Sequence, residues 1–423
     1  MSVRINTPEP KQLTGTLNAE VLTGGDGADT ITGGGGADTL NGGAGDDDIT
    51  GGDGADWIDG GTGIDYVFLD ETSGPIEVWL NQTAPAGQIR VDNAELVITG
   101  DGPVVVHGGF TLDAVITGDG HDTVDGGAGD DIIATLGGDD VLHSGSGDDV
   151  LDAGLGNDLI DGGTGFDYVD YSAGESAITV DLRIVAAQNT GSGLDRLVSI
   201  EGVAGADLND TLIGDSADNR FDGWGGEDCI LGGSGADLIY GDDGRDFLRG
   251  EQGDDQMLGG AGFDDMHGNQ GRDSLSGGTG DDWVVGGQDG DLLLGDAGLD
   301  VVYGNLGNDT LYGGTDRDAV RGGQDNDSLS GDAGDDFLSG DRGDDTISGG
   351  AGADTFHIFA GAGLDRVLDF SYGAGDRVKF ETPGTTYTTY QQGADTIVDL
   401  GGGTTMVLVD VQMSTLPAGW IVG

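Results

Sequence analysis

The sequence predicts an all-β fold, a parallel β-solenoid of nine-residue units, on three observations. From Asp228 to Asp354 every ninth residue is Asp, fifteen in unbroken register. Two places after each Asp stands an apolar residue, as in Ile230, Ile239, Leu248, Met257 and Met266, ending at Phe356. Glycine fills most first, second and fourth places, as in GGSGADLIY (232–240) and GGAGADTFH (349–357). Glycine accepts positive φ and close backbone approach, so the first six places can bend with their carbonyls turned inward. The last three, x-apolar-x, suffice for a short strand whose middle side chain points to one face and its neighbours to the other. Two nonapeptides then close one flattened coil, and coils stack at about 4.8 Å, the strand spacing of a sheet.

Taken in order, residues 1–14 form a leader before the first repeat. A first block, 15–68, holds six repeats, from the degenerate GTLNAEVLT to GGTGIDYVF. An interruption at 69–89 leaves the frame. The second block, 90–170, holds nine repeats, the first three worn (RVDNAELVI, TGDGPVVVH, GGFTLDAVI), and a second interruption covers 171–195. The third block, 196–357, holds eighteen, of which RLVSIEGVA and GADLNDTLI are worn. Worn repeats keep an apolar eighth residue (Val97, Val106, Val115, Val203, Leu212) and are expected to stay in the stack without an ion. Asn219 replaces the sixth-place Asp in GDSADNRFD and weakens one further position.

The two interruptions copy one another. GTGIDY (61–66) and GTGFDY (163–168) lie 102 residues apart, as do IEVWL (76–80) and ITVDL (178–182). Each is expected to supply a longer strand that covers the side of the roll. Trp79 stands in the first copy where Asp181 stands in the second. Beyond Phe356, DRVLDFSYGAGDRVKF (365–380) alternates at period two and TIVDLGGGTTMVLVDV (396–411) reads as a hairpin, which makes 358–423 a β cap.

Composition narrows the function classes. The chain carries 79 acidic against 15 basic residues, a net charge of −64, with 90 glycines in 423. Random acidic, glycine-rich chains stay disordered, but chance acidity does not hold one Asp register over fifteen repeats. Two lysines, Lys11 and Lys379, and thirteen scattered arginines leave no basic face for nucleic acid. One cysteine, Cys229, excludes an internal disulfide framework and is read as an outward thiol, with an intermolecular disulfide as the alternative. No apolar run reaches the ~20 residues of a membrane span. The start, MSVRINTPEPKQLTG, lacks the apolar core of a secretory signal.

A carboxylate at a fixed place in a turn of inward carbonyls offers oxygen ligands alone, the donor set of a hard cation such as calcium. The nonapeptide resembles the calcium-binding repeat of the RTX family. The C-terminal segment resembles that of RTX proteins exported by type I secretion: Asp369-Phe370 after the last repeat, then Gly375, Asp376 and Val378, then paired strands and the tail GWIVG. The resemblance covers roughly residues 15–420. It implies a right-handed parallel β-roll, exported unfolded and C-terminus first, that folds on external calcium. It implies no enzyme activity, since the family's activities usually sit in a separate N-terminal domain and only fourteen residues precede the first repeat here.

Carried onto this chain, the metal ligands are the sixth-place aspartates. They are Asp29, Asp38, Asp47, Asp56 and Asp65 in the first block, and Asp122, Asp131, Asp140, Asp149, Asp158 and Asp167 in the second. In the third they are Asp228, Asp237, Asp246, Asp255, Asp264, Asp273, Asp282, Asp291, Asp300, Asp309, Asp318, Asp327, Asp336, Asp345 and Asp354. Pairing those 18 apart gives about twenty shared calcium sites, which would take the net charge from −64 to about −24.

Other chemistry is thin. His107, His143, His267 and His357 take the outward ninth place, His121 lies in a turn, and no HExxH pattern occurs. Outward aromatics (Trp57, Trp283, Tyr240, Tyr303, Tyr312) are single surface rings by default, with sugar contact as the alternative. A non-catalytic, secreted protein of the cell surface or extracellular matrix, acting in assembly or adhesion, is the expectation. Its partners would be calcium, the type I secretion machinery, and acidic or neutral polysaccharide or other surface components. A solenoid polysaccharide lyase or epimerase is the enzyme alternative, disfavoured because neutralising cations are scarce. A host-directed effector is the third, with no amphipathic or acylation segment behind it.

Overall fold

The computed structural model describes residues 2–4, 9–69, 76–109, 114–382 and 384–422. Parts of the leader, of the 69–89 interruption and of the worn repeat 108–116 lie outside the described residues. The chain forms two compact units, Met1–Ala204 and Gly205–Gly423.

In Gly205–Gly423 the period of nine becomes geometry. Strands alternate between two parallel sheets, so each residue pairs with the one 18 further on. Trp283–Gln288 lies between Asp265–Gln270 and Val301–Leu306, with Met266, Val284 and Val302 in register. The intervening repeats form the other sheet, where Ser274–Thr279, Leu292–Ala297 and Thr310–Thr315 align at Leu275, Leu293 and Leu311. Eighth-place side chains fill the space between the sheets, and Met257, Met266, Leu275, Val284 and Leu293 are 0% exposed. The fold is the all-β parallel roll that the repeat predicts.

Most strands are longer than the three residues the pattern suggests. Trp283–Gln288, WVVGGQ, takes in the first three places of the next repeat and leaves a turn of 289–291. The reason is backbone satisfaction. Gly-Gly-x held in a free turn would leave polar groups without protein partners, whereas Gly260, Gly278 and Asp296 pair from coil to coil. The second place demands positive φ, +99° at Gly278. Where glycine is absent there, Asp296 (+71°) and Asn305 (+86°) take it, residue types that visit this region more readily than most.

Met1–Ala204 follows the same rule, with Leu22, Leu40 and Ile58 in one column and Ile31, Ile49 and Val67 in the other. The worn repeats do stay in the stack: Val97, Val106, Val115 and Val203 are all at or below 2% exposure, and Leu212 in the second unit is at 0%. The first interruption departs from expectation. Ile76–Leu80 does not cover the side of the roll; it inserts into the sheet between Ile89–Asp92 and Val104–His107, out of chain order. Its alternation explains this, since Ile76, Val78 and Leu80 are buried and join the core while Glu77 and Trp79 face outward. In the second interruption Gln188–Asn189 pairs antiparallel with Leu194–Val198, which stacks on Leu159–Thr164.

The C-terminal segment extends both sheets before closing them. Leu364–Val367 adds to Thr346–Ser348, and Arg377–Phe380 to Thr355–Ile358. Thr404–Leu408 then pairs with Leu364–Val367 and with the antiparallel strand Asp395–Gly401, next to Thr388–Gln392, while Ile421–Val422 pairs with Val378 and Lys379. Such additions cover an edge that would otherwise template aggregation. No helix among the described residues is long and apolar enough to cross a membrane.

The contrast between inward and outward places sets a test. Leu275→Ala empties part of a fully enclosed strip, whereas Leu292 is 40% exposed. In saturating calcium, denaturant unfolding should show Leu275→Ala losing about 2–5 kcal/mol and Leu292→Ala within about 0.5 kcal/mol of the parent. Equal losses would contradict the assignment of faces.

Candidate metal centres

Each sixth-place Asp closes its turn beneath the coil that precedes it. The Asp264 N–H donates to Oδ1 of Asp282 at 2.9 Å, and the Asp282 N–H donates to Oδ1 of Asp300 at 2.8 Å. The same bond recurs along the columns, from Asp29 to Asp47, Asp122 to Asp140 and Asp336 to Asp354. It fixes the carboxylate plane and occupies one oxygen. The other oxygen, Oδ2 of Asp264, Asp282, Asp300 and most of their counterparts in the third block, is buried without a hydrogen bond. A buried carboxylate oxygen left so is costly unless a cation or a proton meets it.

The surroundings of that oxygen fit a hard cation. A methyl group built on the first-place Gly277 would stand 2.6 Å from Asp282 Oδ2 and 2.8 Å from the Gly295 carbonyl oxygen of the next coil. The space over the glycine is therefore bounded by a carboxylate oxygen and a carbonyl oxygen from adjacent turns. Only glycine keeps it open. Gly24 repeats the arrangement with Asp29 Oδ2 and the Gly42 carbonyl, and at that end of the column the Lys11 ammonium reaches the Gly24 carbonyl. Among the described residues no three His, Cys, Asp or Glu side chains converge on one point. The donor set is one carboxylate column plus backbone carbonyls, the oxygen chemistry calcium takes.

Burial is the largest influence on these acids. It pushes the carboxyls of Asp264 and Asp282 up to about 6, those of Asp228, Asp246 and Asp300 up to about 7, and those of Asp291 and Asp327 up to about 8. The N–H bond from the preceding coil opposes the rise, and the neighbouring carboxylates add to it.

All twenty-six predicted aspartates are buried at these turns. Residues 18 apart stand on adjacent coils, and those nine apart belong to separate columns. Further acids join the columns, some in frame and some after intervals other than 18. Asp210, sixth in the worn GADLNDTLI, donates its N–H to Asp228 Oδ1 at 2.7 Å. Glu95 and Glu201 accept from Asp65 and Asp167, and Asp195 accepts from Asp158 across 37 residues. Asp376 accepts from Asp354 across 22 residues. Asp365 is 1% exposed beside Asp345, and burial, with the Asp345 charge second, pushes it to about 8. The signal available for Asp195, Asp365 and Asp376 was the triplet Asp-x-apolar, read without the period.

The histidines do not converge. His107 contacts Glu77, His143 faces Asp161, His267 meets Asp265, and His357 meets Ser339. Cys229 is half-buried, and burial pushes its thiol up.

The raised carboxyls give a pH test with calcium chelated. Their folded pKa values of about 6 to about 8 lie above the ordinary 3.8, so the folded state binds more protons than the unfolded one. Stability from this source is complete below the ordinary 3.8 and is lost as pH rises from there through about 6 to about 8. In excess chelator, the β signal in circular dichroism should grow as pH falls from above about 8 to below about 6, and fade on return. A spectrum indifferent to pH there would contradict the burial of these acids.

The family model of the RTX calcium-binding nonapeptide repeat matches residues 14–67, 107–169 and 204–367 in twelve overlapping copies. No curated protein matches the chain. Among solved structures, the extracellular lipase LipA from Serratia marcescens aligns over 78% of this chain and 45% of its own, at 15% identity and a TM-score of 0.21. This chain thus spans less than half of that lipase, and a likeness so slight carries no argument about fold or activity. The repeat matches cover more than half of the residues and meet carboxylate columns stacked at the period they require, and so the chain belongs to the RTX calcium-binding nonapeptide repeat family.

Proposed function

We propose that the chain is a secreted, non-catalytic protein that folds when it meets extracellular calcium and then serves at the cell surface or in the matrix, in assembly or adhesion. The observation that carries this reading is the unpartnered, buried Oδ2 repeated along the columns. A chain at −64 cannot comfortably close such columns by itself. Calcium joins neighbouring coils by serving both at once, with the sixth-place aspartates as ligands and about twenty ions in all. The blocks 15–68, 90–170 and 196–357 are then the metal-bearing rolls, and 358–423 is the cap and the export address. Calcium at extracellular, roughly millimolar concentration would be met only after release, which suits a protein exported unfolded by a Gram-negative type I system.

Coupling between coils makes position matter. Asp282→Ala breaks two stacked positions, those with Asp264 and Asp300. Asp29→Ala sits near a column end, bonded from Lys11 on one side and toward Asp47 on the other. In calcium titrations followed by circular dichroism, Asp282→Ala should raise the folding midpoint more than Asp29→Ala, and chelator should unfold both at neutral pH. Full β structure at neutral pH in excess chelator would refute the calcium-folding reading.

Export is tested separately. Removing 358–423 should trap the chain inside a type I secretion host, and fusing that segment to a slow-folding passenger should release the passenger. Normal release of the truncated chain would show that the address lies elsewhere.

A further inference from the structure

The inserted strand Ile76–Leu80 builds an outward feature that the regular coils lack. On the outer face, Trp57, Arg90, Trp79 and His107 fall side by side on four successive strands. The Arg90 guanidinium lies over the Trp57 ring at 5.4 Å, and the Trp79 and His107 rings are 4.2 Å apart. Beside Trp57 opens a cleft of ≈ 770 Å³, lined by Asp59, Asn81, Asp92, Asn93 and Glu95. Asp92, itself buried, accepts from Trp57 Nε1 at 2.9 Å and pairs with Arg90 at 2.7 Å, so the indole is locked in place. Asn93 Nδ2 donates to Asp59 Oδ1 at 2.8 Å, and Asn41 Nδ2 to Asp59 Oδ2 at 3.1 Å. Yet the held Trp57 remains 46% exposed.

The internal duplication shows that the fold does not need this tryptophan. In the second crossing Leu159 pairs with Arg196 as Trp57 pairs with Arg90. Asp161 pairs with Val198 as Asp59 pairs with Asp92. The turn that follows has the same backbone, with φ +50° at Asn93 and +51° at Ser199. Glu95 and Glu201 then accept the N–H of Asp65 and Asp167 in the same way. One backbone thus carries Trp, Asp and Asn in the first crossing and Leu, Val and Ser in the second. An exposed indole, fixed by hydrogen bonds over a polar cleft, is surplus to folding.

We propose that this cleft is a saccharide-binding subsite for a neutral oligosaccharide. A pyranose has an apolar C–H face, which matches the indole, and a rim of hydroxyls, which matches carboxylates and amides. Each carboxylate oxygen of Asp59 accepts one bond already and retains lone pairs for a sugar hydroxyl. Charge selects against acidic sugars: Asp59, Asp92 and Glu95 line the cleft, and its one guanidinium, Arg90, is already paired with Asp92. Trp57 and Trp79 lie two strands apart, roughly 9.6 Å along the stack, so a chain lying across the strands would meet both rings. The proposal deepens the surface-adhesion reading and rests on it.

The test uses the full chain in saturating calcium. Isothermal titration with neutral gluco-, manno- and galacto-oligosaccharides of about four to six units, and with oligogalacturonate as the acidic control, should show binding by a neutral series and none by the control. Trp57→Leu, which installs the residue of the second crossing, should weaken that binding at least about ten-fold, and Asp59→Asn should weaken it less. No binding by any neutral series, binding untouched by Trp57→Leu, or preference for the acidic control would overturn the proposal. Circular dichroism of the same samples reports the fold independently. A roll that forms with calcium but ignores sugar defeats the cleft alone, and a chain that stays unfolded in saturating calcium defeats the folding reading.

Discussion

A carboxylate buried with one oxygen bound and the other unmet governs how these coils can stack. It recurs down each column at the strand spacing, so like charges stand about 4.8 Å apart with little water between them. Neither a thicker core nor a longer strand relieves that repulsion; only a cation or a proton does. The first-place glycine follows from it, because a Cβ on Gly277 would fill the space between Asp282 Oδ2 and the Gly295 carbonyl. Cooperativity follows as well. Each carboxylate is positioned by an N–H from the coil before it, so the roll is assembled by neighbours and by the calcium its family binds.

The apolar strip contributes differently. One side chain per nonapeptide is buried between the sheets, and Leu, Met, Val and Ile interchange freely at that place. A strip so thin leaves the conformational entropy of ninety glycines largely unopposed. Hydrophobic burial therefore sets which way the strands face, while the buried carboxylate columns oppose their closing until the charge is met. Division of labour within the repeat leaves the seventh and ninth places unconstrained by either. Trp57 and His107 hold such places, Arg90 and Trp79 stand beside them on the same outer face, and the two crossings differ there although their backbones agree.

Much of this was legible in the chain itself. The sixth-place aspartates and eighth-place apolar residues are found where the period puts them, because a coil of fixed length converts sequence distance into spatial register. The period was blind where a turn changes length. Asp195, Asp365 and Asp376 stand in or beside the columns after intervals of 37, 20 and 22 residues from Asp158, Asp345 and Asp354, and only their hydrogen bonds or burial reveal it. Six-residue strands were missed for a related reason, since glycine reads as a turn residue until its backbone is seen to pair with the next coil.

The repeat, the inward strip, the acidic columns and their oxygen-only chemistry can be read from the chain alone, because each is a local property copied at a constant interval. Tertiary structure alone decided the order of strands at the first interruption. Ile76–Leu80 lies between Ile89–Asp92 and Val104–His107, a placement that chain order does not suggest. It also decided that Trp57 and Arg90, 33 residues apart, would share one outer row above a polar cleft. Alternation tells a strand which of its faces to bury, but which neighbours it pairs with depends on the free edges the rest of the fold presents.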